Sequence, residues 1–497
     1  MCSMKSLLPV LVLASAAAAF AQPALTIYNG NFAVVREQIP LDLKAGENPV
    51  QYNGVTLLLE PDSVVLRDPS GKIALRVLEQ SYRADTLSQG LLLSLHEGKT
   101  IDFLVRHPDG KEAIVRGKVI RSNYVPISSG GQRQQALGDW PGGAGSPIIE
   151  VDGKLRFSLP GEPLFPALTD DAILKPTLTW ILGAQSSGKV DAELSYVTGG
   201  MRWEAAYNLV SPEKGDTLDV VGWVTIDNQS GKQFDNAVIK LMAGDVSKIV
   251  EQAPAYAMEL RGAMAMAKQD AEVTEKAFDE FHLYSLPRQA TLRNRETKQV
   301  EFLRAEGIKA ATLYVYDGLA LPRHMAGWPV EAIRNNVEYG TQSNPKVWVM
   351  REFKNSEENR LGLPLPKGRT RFYRRDDADG RLEFTGENVI DHTPRNEWVR
   401  IYTGDAFDIV GERTRTDFQM TLRQDEAQEA FEIKLRNRKS EPVQVRVVEH
   451  LYRGYNWRIL EHSTEFVKKD AQTIEFTVTV PADQEVELRY RVLYDWK

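Results

Sequence analysis

Apolar and polar residues alternate with period two along most of this chain, and that pattern buries one face of a strand but cannot build the stripe of a helix. The clearest run lies near the C-terminal end. Ile474, Phe476, Val478 and Val480 share one parity, and Glu475, Thr477 and Thr479 share the other. After Pro481-Ala482-Asp483-Gln484 the pattern resumes, with Val486, Leu488, Tyr490 and Val492 against Glu487, Arg489 and Arg491. The pair reads as a hairpin with one apolar and one wet face. Phe431, Ile433 and Leu435, followed by Asn437-Arg438-Lys439-Ser440 and then Val443, Val445 and Val447, read as a second hairpin of the same build. Strands this short at this spacing predict a mainly β, multi-domain architecture of sandwiches or barrels.

The first residues pattern differently. Lys5 supplies a positive start, Leu7 to Ala19 an apolar stretch, and Ala19-Phe20-Ala21 a small-x-small cleavage site before Gln22, so residues 1–21 are expected to be a secretory signal peptide. The apolar stretch falls short of the ~20 residues a bilayer helix needs, and no later one is longer, so no transmembrane segment is expected after removal of the signal. The single cysteine, Cys2, precedes the apolar stretch, so there is no lipobox, no disulfide and no thiol chemistry in the exported chain. A periplasmic or secreted location follows as the expectation. Acidic residues outnumber basic ones, 68 to 61, for a net charge of −7 without a basic block, which argues against a nucleic-acid partner.

Five further divisions are expected. Residues 22–127 read as an N-terminal β-domain, with strands around Phe32 to Leu43, Ser63 to Arg67, Ile73 to Leu78, Leu91 to Leu95, Ile101 to Val105 and Ala113 to Ile120. Residues 128–168 read as a linker or long loop, because Ser128 to Pro147 holds six glycines, two prolines and three serines. Residues 169–249 open a C-terminal β region that 286–497 completes. Between them, 250–285 is rich in Ala, Met, Glu and Lys: Tyr256, Leu260 and Met264, then Val273, Ala277, Phe278 and Phe281, follow helical spacing, so a short helical insertion is expected. No internal repeat of fixed period is visible.

The chemistry-bearing motifs are incomplete. Gly183-Ala184-Gln185-Ser186-Ser187-Gly188-Lys189 has the spacing of a phosphate-binding loop, but Val190 stands where the magnesium-binding hydroxyl belongs and a strand pattern follows, so it reads as a turn. Asp376-Asp377-Ala378-Asp379-Gly380 lacks the carboxylates of a calcium loop at the first and twelfth positions and also reads as a turn. No HExxH or GxSxG occurs. Met258, Met264 and Met266 with His282 could hold a soft metal, against the ordinary reading of methionine as a gap filler. No cofactor, catalytic residue or metal ligand is assigned. One cluster suits binding: Tyr452, Arg453, Tyr455, Trp457 and Arg458, flanked by His450 and His462, offers aromatic faces and guanidinium forks to a sugar or an acidic peptide. The competing reading makes Tyr452 and Trp457 core residues around a turn at Gly454.

Tyr196-Val197-Thr198-Gly199-Gly200-Met201-Arg202-Trp203-Glu204-Ala205-Ala206-Tyr207, Asn228 to Gly231, Phe281-His282-Leu283-Tyr284-Ser285-Leu286-Pro287, Glu296 to Val300 and Phe384-Thr385-Gly386-Glu387 together resemble the bacterial family called domain of unknown function 4139, some members of which are labelled mucoidy-inhibitor-like. The resemblance covers roughly Leu178 to Lys497. Val34 to Glu37 and Glu60 to Val64 are similar to the β-domain that commonly precedes it. Phe234, where the family often has tryptophan, and Met242-Ala243-Gly244 depart from the pattern. The resemblance implies an exported envelope protein, mostly β, with no activity, cofactor or catalytic residue to carry over. The expected function is a non-catalytic module that binds an envelope protein or glycan. A polysaccharide or cell-wall hydrolase using paired carboxylates and a periplasmic metal-binding protein are the alternatives.

Overall fold

In the computed structural model the described residues are 22–108, 110–125, 146–166, 173–213, 215–244, 274–278, 281–322, 325 and 327–496, with 274–278 described in backbone only. The fold is mainly β, with several sheets and, among the described residues, two α-helices, Gln89–Leu95 and Val330–Asn335. The described residues of Met1–Trp203, Ile226–Ile249 and Leu283–Lys298 form one compact unit; those of Glu204–Thr225, Val250–His282 and Gln299–Lys497 form the other.

Within the first unit, Thr100–Arg106 and Glu112–Arg121 pair antiparallel at the middle of a five-stranded sheet. Ile101, Phe103, Val119, Ile149 and Val151 close its core with Leu93 of the helix Gln89–Leu95. The strand expected at Leu91 to Leu95 is therefore corrected to a helix. Ser88 caps it, its hydroxyl accepting from the Leu91 amide at 3.2 Å, and the unbroken leucine run carries no period-two signal to oppose that cap. Inside the stretch expected to be a linker, Ile148–Val151, Lys154–Arg156 and Glu162–Leu164 instead add three strands to this sheet.

The stretch expected to be a helical insertion falls mostly outside the described residues, which omit 245–273 and 279–280. Thr274–Phe278 and Phe281–Ser285 are strands, so the helical stripe read through Ala277, Phe278 and Phe281 is corrected. Phe281-His282-Leu283-Tyr284-Ser285 is β-prone in composition, and the Tyr284 ring meets Trp203 at 6.3 Å.

The two expected hairpins are also corrected. Thr473–Val480 pairs with Val443–His450, and Glu485–Asp495 pairs with Glu426–Asn437, so in neither expected hairpin are the two strands bonded to each other. Each connection arches from one part of the nine-stranded sheet to another. The apolar faces meet across the core instead: Phe476 and Tyr490 lie 5.6 Å apart, both among the buried residues around Phe431, Val445 and Val478.

The pairing order repeats along the chain. Ala24–Tyr28 runs parallel to Phe234–Ala243 and antiparallel to Phe32–Leu43, which pairs Gly188–Gly199. After Gly200 the chain continues as Met201–Ser211, beside Thr217–Asn228, which neighbours Glu296–Lys309. From residue 311 the same order returns. Ala311–Asp317 runs parallel to Val443–His450 and antiparallel to Lys346–Lys354, which pairs the first half of Trp398–Met420. The second half of that strand pairs Glu426–Asn437, which pairs Glu485–Asp495. Where the second passage is one 23-residue strand, the first breaks at Gly200, whose φ of 76° suits glycine and whose added Cβ would lie 2.9 Å from the Gln229 carbonyl oxygen.

An asparagine closes the equivalent arch in each passage. Asn228 is wholly buried and donates to the carbonyls of Lys232, Leu292 and Arg293, at 2.9, 3.3 and 3.0 Å, while accepting from the Ser230 amide. Asn437, equally buried, donates to Glu441, Val480 and Pro481, at 2.8, 3.2 and 3.1 Å, while accepting from the Lys439 amide. Removing either side chain strands several buried carbonyls, so Asn437→Ala and Asn228→Ala should each cost about 1–3 kcal/mol by denaturant melting. A loss under about 0.5 kcal/mol would show that water replaces the amide.

Candidate functional site

Five of the residues singled out in the sequence follow the strand Val443–His450, and the structure divides them between the core and the surface. Leu451 is buried and its amide donates to the Gln472 carbonyl at 2.7 Å, which turns the chain. Arg453 then points inward and is fully buried. Its Nη1 donates to the carbonyls of Ile333, Arg334 and Asn336, at 2.6, 3.2 and 3.0 Å, and its Nη2 to Tyr339 O and Glu429 Oε1, at 3.2 and 3.0 Å. The six-residue helix Val330–Asn335 thus ends on a buried cation, which satisfies its last carbonyls and complements its dipole. The Tyr452 hydroxyl donates to Glu429 Oε1 at 3.2 Å, and Arg415 Nη1 reaches the same oxygen at 3.2 Å.

A second buried pair lies in the same unit. Arg413 Nε sits 2.9 Å from both oxygens of Glu449, its Nη1 donates to Gly340 O at 2.7 Å, and its guanidinium lies 4.0 Å from the Phe431 ring centre. Tyr490 donates to Glu449 Oε2 at 2.5 Å. Burial, and then the neighbouring carboxylates, push the Tyr452, Tyr490 and Tyr494 phenols up, so they stay neutral. Burial opposes the charge of Arg413, but Glu449 overcomes it and holds the guanidinium cationic. Sequence reading missed Glu429, Glu449 and Arg413. Their signal is parity: Glu429 falls in the apolar register of Ala427, Phe431, Ile433 and Leu435, and Glu449 in that of Val443, Val445 and Val447.

Past Gly454 the chain emerges. Tyr455 is 73% exposed. The turn beneath it is tied on several sides: Trp496 Nε1 donates to Arg453 O at 3.1 Å, the Trp496 amide to Asp425 O at 2.9 Å, and the Asp495 amide to Asn456 O at 3.1 Å. Trp457 is half-buried against the core, donates to Ala471 O at 2.7 Å, and has Lys468 Nζ 4.6 Å from its ring centre. Arg458 is exposed and has no carboxylate partner among the described residues. Leu422, in the turn that leads to Asp425, is fully exposed. Tyr452 and Arg453 are therefore committed to internal partners, while Tyr455 and Arg458, with the edge of Trp457, are what the loop presents to solvent.

His450 ends the strand that leads into this loop. Its Nε2 lies 3.0 Å from Asp317 Oδ2, and that hydrogen bond, outweighing partial burial, holds the imidazole above its ordinary range. A raised His value stabilises the fold below the unfolded pKa of about 6.5, and the contribution is lost as pH rises through the folded value. His450→Gln should therefore lower the melting temperature more at about pH 5.5 than at about pH 8.5. Equal losses at both would remove Asp317 as the cause.

Six carboxylates have close partners that suit them poorly to act as acids. Glu429 and Glu449 are taken up by arginines. Hydrogen bonds from Ser122, Lys346, Arg491 and Lys434 drive Glu97, Asp405, Asp417 and Glu432 downward, the direction opposite to that of a general acid. Among the described residues no three His, Cys, Asp or Glu side chains gather as a metal would require; Met258, Met264 and Met266 lie outside them. Gln185 to Ser187 join the strands Thr177–Ala184 and Gly188–Gly199, and the Ser187 hydroxyl accepts from the Ala45 amide at 2.9 Å, as a turn residue does. Asp376 to Gly380 is likewise a turn, with Asp376 and Asp379 accepting from the amides of Ala378 and Arg381.

Breaking the buried ion cluster by one partner leaves the other charge stranded. Arg453→Met should cost about 3–5 kcal/mol, and Arg453→Met with Glu429→Gln less than the sum of the two single losses. Additive losses would mean that the two side chains do not act as a pair.

The family model described as Domain of unknown function (DUF4139) matches residues 192–496, and the chain belongs to that family. No curated protein matches the chain.

Proposed function

We propose that this chain is an exported envelope protein that binds a glycan or another envelope protein and does not transform it, with Tyr455, Trp457 and Arg458 as the contact residues and Tyr452 and Arg453 as the residues that hold them. The observation that carries this reading is the contrast across Gly454. Arg453 is wholly buried and spends five hydrogen bonds fixing the turn, whereas Tyr455, two residues on, turns its ring to water. A pre-set aromatic face loses little conformational entropy when a sugar ring or an apolar side chain stacks on it, and the exposed Arg458 fork, which has no carboxylate partner among the described residues, suits a carboxylate. The export half of the reading is supported by Lys5, the apolar stretch to Ala19 and the small-x-small site at Ala19-Phe20-Ala21. Among the described residues no helix is long and apolar enough to cross a membrane.

The test pairs two measurements on Tyr455→Ala/Arg458→Ala. Crosslinking of the tagged chain in its host, followed by mass spectrometry, should find a recurrent envelope partner that the double variant loses, or gel retardation by host polysaccharide should be lost in the same variant. The melting temperature should stay within about 2 °C of the parent, because surface substitutions away from special contacts change stability little. Binding that survives the double substitution moves the contact surface elsewhere.

A further inference from the structure

We infer that the exported chain carries a modified first residue, a pyroglutamyl lactam formed from Gln22. This inference rests on the export reading above, since cleavage after Ala21 is what frees the α-amino group of Gln22. Once free, that amine lies one five-membered ring closure from the carboxamide carbon of its own side chain. The amine nitrogen forms a bond to Cδ, the Cδ–Nε2 bond breaks, and Nε2 leaves as ammonia with the proton that the amine gives up. No oxidant, reductant or second substrate is needed.

The surroundings of Gln22 favour closure at this residue. Gln22 is exposed, and its Oε1 accepts a hydrogen bond from Nε2 of Gln289, which polarises the carbonyl that the amine must attack. The lactam keeps that oxygen as an acceptor. The backbone is held from the next residue on: Pro23 O accepts from the Val238 amide at 2.9 Å, and Ala24 is in register with both Val238 and Arg36. Gln22 and Pro23 are thus the only two residues between the cleavage point and a strand paired on both sides, and of the two Pro23 already has its carbonyl tied to that sheet. Closure removes a group that ordinarily titrates near about 7.7–8.0 and leaves the end of the chain uncharged. An exopeptidase that needs a free α-amine then has no purchase on Pro23 and the strand behind it.

The experiment is N-terminal analysis of the full chain, taken from the medium or periplasm of its host at harvest. The expected first peptide begins at residue 22, is lighter than its unmodified form by the mass of one ammonia molecule, and resists stepwise degradation from the amino end. Gln22→Ser, exported in parallel, should begin with a free amine and be shortened by an added aminopeptidase of the kind that cleaves before proline, which leaves the parent chain intact. A peptide that begins at Gln22 with a free amine overturns the lactam and leaves export standing, as does a lactam that grows only while the purified chain is stored. A first residue other than 22 overturns the cleavage on which the inference depends.

Discussion

Glu429 and Glu449 have no access to water, and much of the second unit is arranged to give each of them partners. An isolated buried carboxylate would be neutralised instead of tolerated, so each needs a guanidinium held in place by further hydrogen bonds. Arg413 meets that need for Glu449, and its other contacts fix Gly340 O and Phe431. Arg453 and Arg415 meet it for Glu429, and Arg453 also ends the helix Val330–Asn335. Gly340 belongs to this arrangement: its φ is 76°, and the Tyr452 ring occupies the space a Cβ would need, 2.2 Å from where it would sit. Replacing the whole cluster with apolar residues of equal volume is the kind of change that can preserve stability. It would leave the helix end and the turn at Gly454 without the partner that orients them.

Alternation foretells which residues face a core, and on that point it serves well: Phe32 to Leu43, Ile101 to Val105 and Ala113 to Ile120 are all strands. It carries no information about which backbone lies alongside. Ile474 to Val480 and Val486 to Val492 share one buried face whether they form a hairpin or an arch, so the pattern fits both, and the difference rests on pairings with Val443–His450 and Glu426–Asn437. A continuous apolar run such as Leu91-Leu92-Leu93 has no period to read, and there the cap at Ser88 decides. At the candidate site, composition draws attention to Tyr452, Arg453, Tyr455, Trp457 and Arg458 together. Whether each turns in or out depends on Tyr339, Glu429, Asp425 and Trp496, which the local sequence does not bring to mind.

The repeated strand order was invisible for a related reason. Asn228 and Asn437 occupy the same place in two passages of the chain and make the same set of bonds, yet the residues around them, Gln229-Ser230-Gly231-Lys232 and Arg438-Lys439-Ser440-Glu441, share no obvious pattern. What recurs is a backbone requirement. An arch between strands leaves carbonyls facing inward, and one amide with two donors and one acceptor satisfies them at the least volume. The same solution appears at Asn355, which donates to Leu363, Thr393 and Pro394, and at Asn48, which donates to Lys44, Gly46 and Leu182.

The parallel pairing of Ala24–Tyr28 with Phe234–Ala243 also orders events in time. A chain that emerges from its amino end presents Ala24 first, but the strand that Ala24 lies beside does not emerge until Val238 does. The five-stranded sheet around Phe103 draws only on residues between those two points and can form in the interval. Until then the opening strand has Phe32–Leu43 as a partner on one side and bare amides and carbonyls on the other. Contacts this far apart in sequence close slowly, and an unpaired edge that waits is an edge to which other chains can bond. Assembly of this protein is therefore exposed to error while its first strand has one neighbour, and the arrival of Phe234–Ala243 ends that exposure.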